Sequence, residues 1–311
     1  MKKPLLIVIT GPTASGKSAL AISLAKKLNA DIISADSRQI YTGIPIVTAV
    51  PSLEEREGVK HHLLEILPLD AYYSAARFQE DAMGILNNIY KNQQIAIMCG
   101  GSMLYLDSLL NGIDELPTVP SEIREGLTVK WKENGDEWLL DLLKNTDPDY
   151  YFKVDRSNLK RVFHAIEISL TAGKAYSSLL SHKTKVKNPD LPFEVIKFCL
   201  SGDRNFLFDK INNRVLSMLE NGLEKEAESV YPLRHLNSLN TVGLKELFLM
   251  FDGVFSRNEA ISKIQKNTRV YAKKQLTWHK QDKDLKYLDF SEKVDYNSDK
   301  IIPEIGHLYN S

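Results

Sequence analysis

Short apolar runs alternate with helical patterns through the first third of the chain, and this alternation predicts an α/β protein with a parallel sheet. Two of the runs, residues 5–10 (LLIVIT) and residues 95–99 (IAIMC), have the length and apolar content of buried parallel strands, and each leads into a glycine turn. The pattern changes after Leu116, where Pro117 and Pro120 break the chain and helical patterns follow without a clear strand. We therefore expect an α/β core with a helical insertion.

The composition is that of a globular protein. Among 311 residues, 43% are apolar and 26% are charged, and Lys plus Arg equal Asp plus Glu at 40 each, so the overall charge indicates no particular partner. Cys99 and Cys199 follow apolar runs without CxxC spacing, which favours buried thiols in a reducing compartment. The apolar run after Lys3 leads into a motif and lacks a cleavage site, so we expect a cytoplasmic protein.

Residues 11–18 (GPTASGKS) have the spacing of a P-loop between a strand and a helix. The glycines let backbone N–H groups turn toward a phosphate, and the helix N-terminus adds roughly half a positive charge. Lys17 would bridge two phosphates, and the Ser18 hydroxyl would hold a magnesium ion. The motif by itself predicts a P-loop NTPase-like parallel sheet flanked by helices, with a nucleotide such as ATP as the ligand.

A second strand pattern, residues 31–35 (DIISA), delivers Asp36 to the edge of the sheet where α/β proteins bind ligands. An Asp that only caps the next turn is the alternative. The polar, basic and aromatic residues 37–41 suit contact with a base or a phosphate. His61 and His62 lack carboxylates at ligand spacing, which favours structural roles over a metal site.

Three further patterns define the domains. Residues 74–90 and 158–171 have apolar helical faces, and residues 193–200 (FEVIKFCL) resume a strand. Gly100, Gly101 and Ser102 form a second glycine turn, which we expect to face the same cleft as the P-loop. We predict a P-loop core at 1–117 and 191–311, with a helical insertion at 118–190 that ends in the lysine-rich residues 182–189.

Positive charge is concentrated near the C-terminus. Residues 257–286 contain nine Lys or Arg and three Asp or Glu, and Lys266, Arg269, Lys273 and Lys280 fall at helical spacing. This distribution favours contact with a polyanion, although a solvated helix face is an open alternative.

Eight stretches of the sequence resemble the motifs of one family, the tRNA dimethylallyltransferases, which are isopentenyl transferases acting on tRNA. They follow the family's order over residues 11–280. The stretches are GPTASGKS (11–18), DIISADSRQIY (31–41), the Tyr-Ser-Ala-Ala run (73–76), GGSMLYLDSLLNG (100–112), NLKRVFHAIEI (158–168), INNRVLSMLENGLEKE (211–226), LNTVGLKEL (239–247) and TRVYAKKQLTWHK (268–280).

This resemblance implies transfer of the dimethylallyl group from dimethylallyl diphosphate to the exocyclic amine of the adenine 3′-adjacent to the anticodon in tRNA, with release of diphosphate. It implies that Mg²⁺ assists and that the P-loop binds a diphosphate in place of ATP. The target base lies in a stack, so the enzyme is expected to flip it into the cleft. We expect a monomer that acts without a membrane.

The resemblance also assigns roles by position. Asp36 would be the general base, because an aryl amine is a weak nucleophile until it loses its proton. The implied catalytic residues are Asp36, Ser102, which stands where the family usually has threonine, and Arg214, for which a surface arginine is the alternative. The implied diphosphate-binding residues are Gly11, Pro12, Thr13, Ala14, Ser15, Gly16, Lys17 and Ser18, with Ser18 as the metal ligand. The implied tRNA-binding residues are Asp36, Ser37, Arg38, Gln39, Arg124, Lys160, Arg161, His164, Asn240 and Lys245.

Some positions depart from the family's pattern. Residues 46–51 read IVTAVP where IGTAKP is usual, so Val47 and Val50 replace a glycine and a lysine. Leu244 and His279 stand where aromatic residues are common. Two alternatives therefore stay open: a small-molecule kinase, which would share the P-loop and Asp36, and a catalytically idle tRNA-binding relative.

Overall fold

The computed structural model describes residues 2–114, 116–180 and 191–310. The chain divides into two compact units, one formed by Met1–Leu110 with Asn188–Ser311 and the other by Asn111–Lys187. The lysine-rich residues 182–189, expected to end the insertion, lie outside the described residues. None of the described helices is both long and apolar enough to cross a bilayer.

A single parallel sheet organises the first unit. Its strands are β1 (Leu5–Thr10), β2 (Asp31–Ser34), β3 (His61–His62), β4 (Ile95–Cys99), β5 (Glu194–Ser201) and β6 (Leu285–Asp289). Within the described residues their order is β3-β2-β4-β1-β5-β6, and every pair is parallel. β1 is buried at all six positions, as its apolar run predicts for a central strand covered on both faces. The predicted strands at 5–10 and 95–99 are confirmed, and the one predicted at 193–200 runs one residue later.

Helices follow most of the strands and cover the sheet. They are α1 (Lys17–Leu28), α2 (Pro45–Thr48), α3 (Ala75–Ile89), α4 (Met103–Asn111), α5 (Ser121–Thr146), α6 (Pro148–Lys153), α7 (Leu159–Ala172), α8 (Arg204–Glu220), α9 (Leu223–Val230), α10 (Leu244–Phe251), α11 (Arg257–His279) and α12 (Val294–Asn310). Short 3₁₀ turns lie at Tyr176–Ser178, Tyr231–Leu233 and Asn237–Leu239.

The core of the first unit joins α1 and α8 to the sheet. Leu20 and Leu24 of α1 pack with the β1 side chains, and Leu207 and Ile211 of α8 belong to the same buried cluster. Burial of each such side chain contributes roughly 2 kcal/mol. Ala14 of the P-loop packs against this cluster, which includes side chains of both β1 and α1. The loop is therefore held between a strand and a helix that share one core.

The second unit is a helical bundle with a core of its own. Leu139 and Leu143 of α5 are fully buried against Val162 and Ile166 of α7. Gly135 interrupts α5 with a φ of 82°, a left-handed value that a glycine adopts without strain. The helical character predicted for this part of the chain is therefore confirmed.

Candidate active site at the carboxyl ends of the strands

The loop between β1 and α1 has the geometry of a phosphate cradle. Gly11 has a φ of 145°, and an added Cβ would lie 2.8 Å from the Leu200 carbonyl oxygen, so no larger residue fits there. The Ser15 hydroxyl is buried and finds no hydrogen-bond partner among the described residues. Lys17 Nζ donates to the Pro12 carbonyl oxygen at 2.9 Å. The Ser15 hydroxyl and the other N–H groups of the Lys17 ammonium can therefore donate hydrogen bonds to phosphate oxygens.

This cradle opens into a cleft of about 1340 Å³. P-loop residues, Asp36, Gly100, Gly101 and Arg214 all line it, so the prediction that both glycine turns face one cleft is confirmed. Burial lowers the pKa of Lys17 below its usual value, and the Arg214 guanidinium acts in the same direction. Two cations in the same cleft create a site for an anion with more than one charge.

Asp36 stands at the end of β2 and uses one oxygen to shape its own loop. Oδ1 accepts the backbone N–H of Arg38 at 2.9 Å and that of Gln39 at 3.3 Å. The capping role that the sequence left open is therefore present. Oδ2 accepts no hydrogen bond from any described residue, and Asp36 lines the cleft. The carboxylate can cap the turn with one oxygen and take a proton with the other.

Ser102 supports this loop from the second glycine turn. Its hydroxyl accepts the backbone N–H of Ser37 at 2.8 Å, and its own N–H donates to the Ala35 carbonyl oxygen at 3.1 Å. Ser102 is only 8% exposed and is not among the residues that line the cleft. These contacts hold the residues on both sides of Asp36. The predicted contact of Ser102 with the reacting groups stays a prediction.

Arg214 reaches the cleft from α8 and makes no ion pair or hydrogen bond within the described part of the chain. Burial lowers the pKa of its guanidinium, and the carboxylates of Asp36 and Glu55 act against that effect. An arginine remains charged in spite of such a shift. The side chain thus offers a positive charge that no carboxylate of the described residues pairs with and that solvent screens less than it would at the surface.

Gln275 on α11 connects the two glycine turns, a role that the sequence of residues 268–280 does not by itself indicate. Its Oε1 accepts the N–H of Thr13 at 2.9 Å, and its Nε2 donates to the carbonyl oxygen of Gly101 at 2.9 Å. The side chain is 2% exposed. One turn later along α11, His279 Nε2 lies 3.4 Å from Thr10 Oγ1. The basic helix therefore contributes to the floor of the cleft as well as to the surface.

Arg38 and Gln39, which the resemblance assigns to tRNA, are held by the protein itself. Arg38 Nη1 donates to the carbonyl oxygens of Asn237 at 2.8 Å and Ser238 at 3.1 Å. Gln39 Nε2 donates to two carbonyl oxygens at the carboxyl end of α2. These bonds fix the loop after Asp36, whereas Asn240 and Lys245 are exposed.

In the second unit, the predicted tRNA-binding residues differ in how firmly the protein holds them. Arg124 Nε donates to Glu167 Oε2 at 2.8 Å, and His164 Nδ1 lies 2.9 Å from Glu167 Oε1. Burial opposes ionisation of Glu167, but the hydrogen bonds from His164 and Arg124 outweigh it and lower its pKa. Lys160 and Arg161 are exposed on α7. These two are better placed than Arg124 to contact an external anion.

The basic helix α11 is only partly a free surface. Arg269 Nη1 donates to Asn212 Oδ1, and Lys273 Nζ lies 5.3 Å from the centre of the Phe208 ring. Lys266 and Lys280 are exposed. Some of the basic side chains of α11 therefore pack against α8, and others place their charge in solvent.

Contacts within the protein accommodate residues 46–51, which depart from the family's pattern. Glu226 Oε2 accepts the N–H of Ile46 at 2.7 Å, and Oε1 accepts that of Val47 at 2.8 Å. Gly243 has a φ of 102°, and an added Cβ would lie 2.6 Å from a Val47 methyl group, so this glycine leaves room for the valine. Val50 lines the cleft, where the family pattern has a lysine.

A magnesium ion fits this cleft only together with a ligand. Within residues 2–114, 116–180 and 191–310, no group of three or more His, Cys, Asp or Glu could hold a metal. Ser18 offers a hydroxyl on the first turn of α1, in the same cleft as Asp36. Mg²⁺ retains several waters and binds through one or two protein ligands plus phosphate oxygens. The donor set suits an ion that binds together with a diphosphate.

Comparisons with known proteins agree with one another. A family model described as IPP transferase matches residues 39–282. The tRNA dimethylallyltransferase 2 of Azobacteroides pseudotrichonymphae is 43% identical over 302 residues, 97% of each chain. The tRNA dimethylallyltransferase 2 of Parabacteroides distasonis is 46% identical over 280 residues, 90% of this chain and 92% of that protein. The solved structure of a eukaryotic dimethylallyltransferase acting on tRNA superimposes with a TM-score of 0.82 at 27% identity, over 98% of this chain and 79% of that one.

Proposed function

The chain belongs to the IPP transferase family of tRNA dimethylallyltransferases, and from that premise we propose that it transfers a dimethylallyl group from dimethylallyl diphosphate to tRNA. The acceptor is the exocyclic amine of the adenine 3′-adjacent to the anticodon, and diphosphate is released. The observation that carries this proposal is the placement of Lys17, Arg214 and Asp36 in one cleft. Two cations suit the diphosphate, and the carboxylate suits the amine.

In the proposed step, the amine nitrogen attacks C1 of the dimethylallyl group as the bond from C1 to the diphosphate oxygen breaks. The bonding electrons leave with the diphosphate, and the proton of the amine passes to Asp36 Oδ2. A base in this position is expected to contribute a factor of about 10²–10⁴ to the rate. Asp36 Oδ1 stays bonded to the turn, so the carboxylate keeps its orientation during the transfer.

The reaction also requires that the negative charge developing on the departing diphosphate be stabilised. The P-loop N–H groups, Lys17 and Arg214 would face that charge, and stabilisation of a developing anion is commonly the largest contribution to catalysis. Magnesium, held by Ser18 and the diphosphate, would add positive charge at the leaving oxygens. The bond that breaks in this chemistry joins carbon to oxygen, so the P-loop acts as the binding site of a leaving group.

For tRNA, we propose that exposed cations of both units contact phosphates. Lys160 and Arg161 on α7, Lys245 on α10 and the exposed lysines of α11 support this assignment. Such contacts make affinity fall as salt rises, and they help offset the cost of extracting the adenine from its stack.

The experiment that tests the proposal uses the purified 311-residue chain. It is incubated with unmodified tRNA, Mg²⁺ and dimethylallyl diphosphate, and the tRNA is digested and analysed as nucleosides by mass spectrometry. We expect isopentenyl adenosine at the position 3′ of the anticodon. Its absence, with a characterised family member active under the same conditions, would reject the proposal.

A further inference from the structure

We propose that Gln275 is a positioning residue, which fixes the P-loop relative to the second glycine turn and thereby the diphosphate relative to Asp36. This inference rests on the proposed function. It assigns no direct contact with the substrates to Gln275, which would act through the two loops that it joins.

The contacts of Gln275 span the gap between the two turns. Its Oε1 accepts the Thr13 N–H and its Nε2 donates to the Gly101 carbonyl oxygen, each at 2.9 Å. Only this orientation of the amide satisfies both loops, because one of them offers a donor and the other an acceptor. A carboxylate lacks the donor and an alkyl chain lacks both groups, so an amide of this length is required.

The fit around Gln275 is tight on the side of Gly101. A Cβ added to Gly101 would overlap Gln275 Nε2, while its next contacts would be at 3.6 Å or more. The backbone of Gly101 does not have a positive φ, so the amide is the main obstacle to a larger residue. Gln275 is 2% exposed, and water cannot readily replace its two bonds.

The second turn continues directly to the proposed base. Ser102 follows Gly101 and accepts the Ser37 N–H at 2.8 Å, next to Asp36. The two hydrogen bonds of Gln275, to Thr13 and Gly101, form what we call the bridge. At its other end, Thr13 lies within the diphosphate cradle, four residues before Lys17. Hydrogen bonds from Thr13 to Gln275, from Gln275 to Gly101 and from Ser37 to Ser102, joined by the peptide bonds between neighbouring residues, thus connect the cradle to the base. Their role in the reaction would be to hold the attacking and leaving groups in register.

Loss of the bridge should affect turnover more than binding. In Gln275→Ala we expect kcat to fall at least about tenfold, since a shift of about 1 Å between reacting groups costs up to about a hundredfold. The Kd for magnesium pyrophosphate, measured by titration calorimetry, should stay within about threefold, because the P-loop amides and Lys17 that bind it remain, and only the alignment of the two loops is lost. A merely structural glutamine would lower stability without this separation of kcat from Kd.

Two further variants keep the test interpretable. Gln275→Met fills a similar volume without either hydrogen bond, and should reproduce the loss of kcat if the alanine variant folds poorly. Gln281→Ala removes an exposed glutamine just beyond α11 and serves as the matched control, with unchanged kcat. Unfolding by urea is measured for each variant.

A double-mutant cycle with Gly101 isolates the bridge itself. Gly101→Ala should lower kcat about as much as Gln275→Ala does, since the new methyl group displaces the amide. Once the amide has been removed, the same glycine substitution should cost less than about twofold, because the two changes disrupt one contact.

The outcomes separate the inference from the function on which it rests. A wild-type enzyme that makes no isopentenyl adenosine would count against the proposed function. If the wild-type enzyme makes isopentenyl adenosine and the kcat values of Gln275→Ala and Gln275→Met are within about twofold of the wild-type value, only the positioning role is overturned. Fully multiplicative effects in the cycle would overturn it as well.

Discussion

Replacement of Asp36 by asparagine separates the two roles that the structure gives to this carboxylate. Oδ1 accepts two backbone N–H groups, at 2.9 and 3.3 Å, and the carbonyl oxygen of asparagine can accept both. The amide cannot take a proton from the attacking amine. We therefore expect Asp36→Asn to lower kcat at least about a hundredfold, which corresponds to about 2.7 kcal/mol of transition-state stabilisation. The stability of the fold should be nearly unchanged.

The alanine variant gives the complementary result. Asp36→Ala removes the acceptor as well as the base, and each lost hydrogen bond contributes about 0.5–1.5 kcal/mol. Its free energy of unfolding should therefore lie about 1–2 kcal/mol below that of Asp36→Asn, the longer of the two bonds counting for less. The loss of kcat should be similar in both variants, since both lack a base.

The assay combines steady-state kinetics with urea unfolding. Product is counted as isopentenyl adenosine, and tRNA affinity is measured separately by equilibrium binding. Asp70→Asn, a change at an exposed carboxylate away from the cleft, is the control. An Asp36→Asn enzyme that keeps more than about a tenth of the normal kcat would refute the assignment of the base.

Three further predictions concern other parts of the chain. Arg214→Ala should lower kcat by about 10²–10³ while tRNA affinity stays normal, because the lost charge faces the diphosphate, and an equal fall in tRNA affinity would contradict this. Arg161→Ala should weaken tRNA binding and reduce the slope of log K against log salt by about one, and an unchanged slope would exclude a phosphate contact. Burial lowers the pKa of His279 from 6.5 to about 4, so unfolding takes up a proton between these pH values and the folded state loses up to about 3 kcal/mol as pH falls through that window. His279→Phe should remove this part of the pH dependence in urea unfolding, and an identical pH dependence in both proteins would show that the histidine does not contribute.

The parts of the site that could be predicted from sequence are those that short segments determine. The P-loop needs only a strand, a glycine turn and a helix in succession, and residues 5–28 supply all three. Asp36 follows a short apolar strand, and its position at the sheet edge results from that order alone. The sequence could not show whether the Asp36 carboxylate caps the turn, acts as a base, or does both, because a cap and a base occupy the same position.

The contacts that could not be predicted join residues far apart in the chain. Gln275 lies 262 residues from Thr13 and 174 from Gly101, and no local pattern distinguishes a buried amide from an exposed one on a basic helix. Arg124 and Glu167 are 43 residues apart, so their pairing depends on how α5 packs on α7. A basic residue that matches a tRNA-binding motif can therefore be engaged within its own unit, as Arg124 is.

The products of one reaction distinguish a P-loop that holds a leaving diphosphate from one that holds the triphosphate of a kinase. The protein is incubated with tRNA, Mg²⁺, dimethylallyl diphosphate and ATP together, and pyrophosphate, ADP and modified nucleoside are quantified. We predict pyrophosphate in equal amount to isopentenyl adenosine, with ATP unconsumed. Formation of ADP without modified adenosine would instead show that the protein is a kinase.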